Sequence, residues 1–408
     1  MRKSFLFCFG LIAFTALAWG QFNGYASGTY GFQSNPLYSY AMLSDQVKEG
    51  YWELNYAASS SKQEFTLGYV GGLMLFNRFV ERNYYEQRLS FGYALRYPLR
   101  QSIDSADDGE NDEEKFRGNL LELGGKLSAR HDKQAHQEFD NLGFDLSGAF
   151  TWGVGSGKEV KLVNQVSRRQ YVYLAELDNV ADVMHLRVTS AVAEGIQLGY
   201  FAAAGIKHYT TSQIDTTRVE TGNQGNKGKG RGLGNSGKAK QVLANSSTTN
   251  TYQISAGTAL TWNWQGGGME AEILYRYNPT TEIRFLAQYA NTTLLSEDIY
   301  NDFFSYGGPE AKLGVHQALP LGIQLGVRTE MQRKKFLAPA LDLDASQTAS
   351  NRVDVRGVLE GTLSRVFPLK NGVTLEISLN GGSSRNQSND AYNDYSLYYY
   401  SASVGIGF

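Results

Sequence analysis

Tyr398-Tyr399-Tyr400-Ser401-Ala402-Ser403-Val404-Gly405-Ile406-Gly407-Phe408 is the stretch that decides the architecture of this chain. Counted back from Phe408, every second residue is apolar or aromatic: Ile406, Val404, Ala402, Tyr400 and Tyr398. Between them stand Gly407, Gly405, Ser403 and Ser401, small or hydroxylated, with Tyr399 the exception. A period of two sends these sets to opposite faces of one strand. A strand that runs to the last residue has to be paired on both edges or closed into a ring.

The same alternation recurs through the chain in segments of about ten residues. Val373, Leu375, Ile377 and Leu379 alternate with Thr374, Glu376, Ser378 and Asn380. Ile323, Leu325, Val327 and Met331 alternate with Gln324, Arg328, Glu330 and Gln332. Ile196, Leu198, Tyr200, Ala202 and Ile206, and again Met269, Ala271, Ile273 and Tyr275, repeat the pattern. One face suits lipid and the other suits water. Charges on the wet face are too frequent for a dry sandwich core, where each would need a partner. Connectors fall into short ones (153–157, 194–195, 320–322, 368–372) and long polar ones (34–46, 210–250, 292–308, 338–352, 385–392). The reading is all-β: a single antiparallel transmembrane β-barrel with short turns at one end and long loops at the other. About 17 segments alternate, and a barrel with both termini on one side needs an even number. Counting 240–245 as a missed strand gives 18, and merging two weak segments near 160–177 gives 16; 14 is the outer alternative.

The N-terminus has a basic start (Arg2, Lys3) and an apolar run from Phe5 to Ala18, followed by small residues in the frames Ala16-Leu17-Ala18 and Ala18-Trp19-Gly20. That is the layout of a secretory signal peptide, expected over residues 1–20, with the barrel domain over 21–408 and long loops near 210–250 and 293–308. Cys8 lies within the leader, so the mature chain is expected to have no cysteine and to be held by its sheet, not by disulfides. No later apolar run approaches the ~20 residues of a transmembrane helix. Mean hydropathy is −0.36, yet 26 tyrosines and 13% aromatics suit aromatic belts at two membrane surfaces. The net charge of −2 gives no reason to expect a nucleic-acid partner.

Placed after such a leader, the final strand resembles the closing strand of bacterial outer-membrane β-barrel proteins. The resemblance implies that Tyr400, Ala402, Val404, Ile406 and Phe408 form the signal read by the barrel-assembly machinery. It also implies residence in the outer membrane, with lipid and lipopolysaccharide as surroundings. It identifies a class and leaves the oligomeric state open. Ser34-Asn35-Pro36 and the run 385–390 are similar to parts of some exopolysaccharide-secretion barrels, which makes polysaccharide export a minor alternative. A soluble exported β-sandwich is the structural runner-up.

Two biased stretches have bland readings. Residues 104–114 are strongly acidic and lack the order and distal Glu of a calcium loop, which suits a solvated insertion. Residues 222–240 are Gly-rich and cationic, and Gly232 to Ala239 approaches a phosphate-binding loop. Ala239 stands where Ser or Thr would bind magnesium, so nucleotide binding is rejected. His131, His136, His185, His208 and His316 form no pair at metal-ligand spacing. His185 and Ser190 are odd-spaced and face opposite sides of a strand, and Ser156 is one place off a nucleophile elbow. No catalytic, cofactor or metal set emerges, and an outer-membrane hydrolase remains a minor alternative.

The wet-face charges carry the functional expectation. Read inward, the alternation gives Lys207, Glu270, Glu272, Arg276, Arg284, Arg328, Glu330, Asp354, Arg356, Glu360 and Glu376 as lumen-lining candidates, with Arg187, Glu282 and Lys312 beside them. At 16 to 18 strands side chains cannot fill the bore. A porin-like passive channel with a mixed-charge aqueous lumen is the expected function; a structural or surface-interaction protein with a closed bore is the alternative.

Overall fold

The structure, a computed structural model, describes residues 21–36, 43–98, 118–133, 140–154, 157–173, 175–210, 242–243, 250–280, 286–287, 303–343 and 346–408. The signal segment, the acidic stretch 104–114, the cationic stretch 222–240, and His136, Ser156, Glu282 and Arg284 lie outside them. Sixteen strands close into one antiparallel barrel. In chain order they are β1 Gln21–Gln33, β2 Asp45–Ser59, β3 Gln63–Phe76, β4 Tyr84–Pro98, β5 Gly118–Asp132, β6 Asn141–Gly153, β7 Lys158–Tyr171 and β8 Asn179–Ala193. There follow β9 Ile196–Tyr209, β10 Asn250–Trp264, β11 Gly267–Tyr277, β12 Tyr306–Leu319, β13 Ile323–Leu341, β14 Gln347–Pro368, β15 Thr374–Ser388 and β16 Tyr395–Gly407.

Each strand pairs with its neighbours in sequence, and the ring closes where β1 meets β16, from Tyr25 opposite Gly407 to Gln33 opposite Tyr399. Gly24 and Phe408 extend this seam by exchanging two backbone hydrogen bonds, of 2.8 and 2.9 Å. The start of β1 and the end of β16 therefore share one end of the barrel, called here the terminal end. Most turns there are tight; the connection from Pro98 to Gly118 is the long one. Leu321-Gly322 and Asn371-Gly372 take positive φ at both residues, the backbone twist that lets a two-residue turn join antiparallel strands.

The strand number resolves the parity question. Lys158–Tyr171 is one continuous strand followed by a 3-10 turn at Ala175–Leu177, so the two segments suspected near 160–177 count once. Val242 and Leu243 pair only with Ala287 and Leu286, a two-residue ladder outside the barrel. That is too short to span a bilayer, so 240–245 adds no strand. The expected loop bounds also move. Strands β13 and β14 stay paired up to Leu341 and Gln347, so most of 338–352 is sheet. The connection between β11 and β12 begins at Asn278 and ends before Tyr306.

Among the described residues no dry core runs through the middle. Outward positions are mostly apolar: Leu123, Leu146, Leu186, Ile273, Met331, Leu359 and Val404 are all exposed. Exposed aromatics gather toward the terminal end (Phe22, Tyr97, Phe150, Trp262, Phe408) and toward the far rim (Tyr30, Tyr85, Tyr252, Tyr277, Tyr398), the two girdles of a lipid-facing band. Apart from Tyr56, which is covered on the outer face by Phe22, the well-buried aromatics of the strands form a layer inside the far rim, with Phe76, Tyr171, Tyr209, Tyr306, Phe336 and Tyr395 turned inward under the loops.

The wall itself is tightened by rings laid on glycines. Trp52 lies over Gly71, Phe91 over Gly125, Phe201 over Gly257, Tyr399 over Gly382, Phe408 over Gly24 and Tyr25 over Gly405. The first four pairs stand directly opposite each other in register. A cross-strand aromatic covering a glycine recovers packing that the missing side chain would forfeit.

Candidate functional site: the inner wall

Because paired residues share a face, one outward strand orients the whole ring. Ile406 and Val404 point outward and lie opposite Leu375 and Ile377, which turns Glu376 inward, opposite Gly405. Followed strand by strand, the register puts Lys207, Glu270, Glu272, Arg276, Arg328, Glu330, Asp354, Arg356, Glu360 and Glu376 on the inner face, together with Arg187 and Lys312. His185 is inward and Ser190 outward, so these two do not meet.

The wall of β10 to β12 holds a connected cluster. Glu310 accepts from Arg276 at 3.2 Å and pairs with Lys312 at 2.5 Å, while Lys312 also reaches Glu272 at 3.7 Å. Arg276 further donates to Gln253. Nearer the terminal end, Arg328 touches Glu330 at 3.5 Å, Tyr399 donates to Glu360 at 3.0 Å, and Tyr25 donates to Glu376 at 3.2 Å. Two of the inward set are covered by other residues. Asp354 is 1% exposed and accepts from Arg352, Ser388 and Asn386; Lys207 is 9% exposed and lies over the Tyr209 ring. They belong to the packed layer under the far rim.

The opposite wall carries charges that sequence reading did not single out. Asp145 pairs with Lys126 and Arg169, each at 2.9 Å; Lys161 pairs with Glu122 at 2.5 Å; Arg96 pairs with Glu64 at 3.1 Å. Glu53 accepts from Tyr51 and Asn55, and Arg130 pairs with Asp132 under the Tyr84 ring. Both signs therefore appear from β4 round to β14, as pairs within a strand or between strands one or two apart, whereas the described inward charges from β15 through β1 to β3 are acids, Glu376, Glu49, Glu53 and Glu64 among them. Partly exposed pairs of this kind are worth about 0–1 kcal/mol each, so they orient side chains more than they hold the barrel together.

One connecting segment enters the lumen. Phe304 is 2% exposed and its ring would touch a Cβ on inward-facing Gly205, while Gln253 donates to the Phe303 carbonyl and Asn278 to that of Phe304. The 3-10 turn Phe303–Ser305 is thus fastened to the inner side of β9 and β10 below the far rim.

No protein-family model matches the sequence, and no curated protein matches it. Among solved structures, the chain is similar in outline to Acinetobacter baumannii OccAB3 (TM-score 0.46, 9% identity, covering 95% of this chain and 99% of that one). Similar likenesses hold for Pseudomonas aeruginosa OpdL (0.45, 11%, 95% and 98%) and OccK8, or OprE (0.44, 9%, 95% and 98%). Sixteen closed antiparallel strands, apolar and girdled by aromatics outside and charged within, give the chain the architecture of a bacterial outer-membrane β-barrel.

Proposed function

We propose that the protein is a porin-like passive channel whose mixed-charge inner wall lines an aqueous path. The supporting observation is the size of the ring against the reach of its side chains. Sixteen strands spaced ~4.8 Å apart and tilted enclose roughly 30 Å between opposite backbones. The inward ion pairs run within a strand or join strands one or two apart and so lie along the wall, which leaves the centre to water. Acids and bases side by side shape a transverse field without strongly favouring either ion sign, and weak ion selectivity is the expectation. Glu270, Glu272, Arg276, Arg328, Glu330, Arg356, Glu360 and Glu376 are the proposed wall residues, with Lys207 and Asp354 left to the packed layer.

In this reading a cleaved leader directs export, the terminal end faces the periplasm, and the strand ending in Tyr400, Ala402, Val404, Ile406 and Phe408 is presented to the assembly machinery. The far-rim loops then meet lipopolysaccharide outside. Planar-bilayer recording of the refolded protein in potassium chloride tests it: discrete current steps are expected, and a folded barrel without conductance would refute it. A closed bore is the second reading, favoured by the inward docking of Phe303–Ser305. Conductance that appears only when this segment is released would support it.

A further inference from the structure

On the wall nearer the terminal end, one register row reads Glu270, Gly314, Arg328, Glu360 across β11 to β14. Gly314 stands between an acid and a base, and a Cβ placed on it would meet nothing within 4 Å. The row beside it contains Gly268, His316, Gly326 and Thr362. The missing side chains leave a recess of about 320 Å³ in the inner wall, lined by Glu270, His316, Arg328, Glu360 and Thr362 around the glycines.

The charges at its edges are under-used. Lys312, one step toward the far rim, is taken by Glu310 and Glu272. Glu270 makes no ion pair or side-chain hydrogen bond among the described residues. Among the described residues Arg328 has only the 3.5 Å contact to Glu330, and its side chain is 59% exposed. Glu360 is already engaged by Tyr399. Glu270 and Arg328 stand two strand spacings apart, roughly 10 Å between backbones, with empty space between them instead of a side chain.

We propose that this recess binds small zwitterionic solutes of short-peptide type on their way through the lumen. The inference rests on the water-filled lumen proposed above. An ammonium end placed at Glu270 and a carboxylate end at Arg328 lie on opposite sides of the Gly314 gap, and the connecting backbone fits into it. A lone anion would gain Arg328 but meet two carboxylates, and a lone cation would gain Glu270 but meet Arg328. A dipolar molecule satisfies both edges, and that difference is the source of selectivity.

The test uses the full chain folded in detergent micelles, its barrel verified by heat-modifiable migration, with saturation-transfer NMR of glycylglycine, acetate and methylammonium. Saturable glycylglycine binding is expected, with a dissociation constant on the order of millimolar and clearly tighter than for either single-charge probe. Glu270→Gln and Arg328→Gln should each weaken it about tenfold. Gly314→Leu, which fills the gap and leaves both charges in place, should abolish it. The exchanged pair Glu270→Arg with Arg328→Glu should restore binding. No saturable binding to the folded barrel, or binding that ignores both charge variants, overturns the proposal. Failure of the channel reading shows differently, as absent conductance with glycylglycine binding retained.

Discussion

The pairing of Trp52 with Gly71 yields a prediction with an unusual sign pattern. The two residues stand directly opposite on β2 and β3, facing lipid, and Trp52 is only 36% exposed because its indole lies down on the neighbouring backbone. A Cβ placed on Gly71 falls within 3.0 Å of three atoms of that rigid ring, Cε2, Nε1 and Cζ2. Gly71→Ala must therefore push the indole off its seat, an overpacking cost of about 1–3 kcal/mol. Trp52→Ala loses the ring contact, about 0.5–1.5 kcal/mol; lipid replaces the ring's outer surroundings, so no large transfer term is added. With the ring gone, the same Gly71→Ala change meets open space. It should then stabilise by about 0.5–1 kcal/mol, because alanine costs less backbone entropy than glycine in a strand. The two mutations should couple by at least about 1.5 kcal/mol, within the range seen for residues in contact. Equilibrium urea unfolding in phospholipid vesicles, followed by far-UV circular dichroism, gives the four stabilities. Gly71→Ala that is neutral or stabilising in the otherwise unchanged protein would refute the reasoning, since the ring would then not be resting on the glycine.

Three further outcomes are expected from other parts of the barrel. Asp354→Ala removes the acceptor shared by Arg352, Ser388 and Asn386 and strands a guanidinium held over Phe336; a loss of about 3–5 kcal/mol is expected, read as earlier urea unfolding and faster amide exchange in β14 and β15. Asp45→Ala deprives the backbone N–H groups of Gln46, Arg78 and Phe79 of their carboxylate, costing about 1–3 kcal/mol and opening 77–83 to limited proteolysis without altering the terminal end. Phe304→Ala empties the seat beside Gly205 and Gln253; larger single-channel current steps are expected, and unchanged steps would mean that Phe303–Ser305 does not narrow the path.

How far the barrel can be read from sequence depends on whether a strand's two faces differ. On β9, β11, β13, β15 and β16 they do: Met269, Ala271, Ile273 and Tyr275 against Glu270 and Glu272 leaves one assignment, and the register agrees with it. On β3 they do not. Leu67, Tyr69, Leu73 and Leu75 face out, yet Val70 and Met74 face in opposite Glu53 and Glu49. With apolar residues on both sides the period of two cancels, and the inward charges of the strands around it went unassigned: Glu53, Glu64, Lys126, Arg130 and Asp145. Polar residues also appear on the outer face, as where Asn164 donates to Asp182 at 2.6 Å, which blurs the lipid signal on β7 and β8. Asp354 shows the complementary error: its face follows from alternation, but its burial depends on Arg352, Ser388 and Asn386 converging from two strands.

The glycines mark the limit of single-strand reading most clearly. In sequence, Gly71, Gly125, Gly314 and Gly326 are alike, small residues inside alternating runs. Register separates them into two kinds with opposite consequences. Gly71 and Gly125 face Trp52 and Phe91 across the ladder, and their missing side chains are filled by a ring, so the wall is tight there. Gly314 faces Arg328 and lies beside Glu270, and Gly326 faces His316; neither is covered, so the wall is hollow between unspent charges. What decides between a seam and a recess is the residue one strand away, which no periodicity within a strand can reveal. In the proposed channel, local hollows in the wall are the places where a passing solute can touch several side chains at once. On that reading the chemistry of passage is set by cross-strand neighbours of glycines as much as by the charged residues themselves.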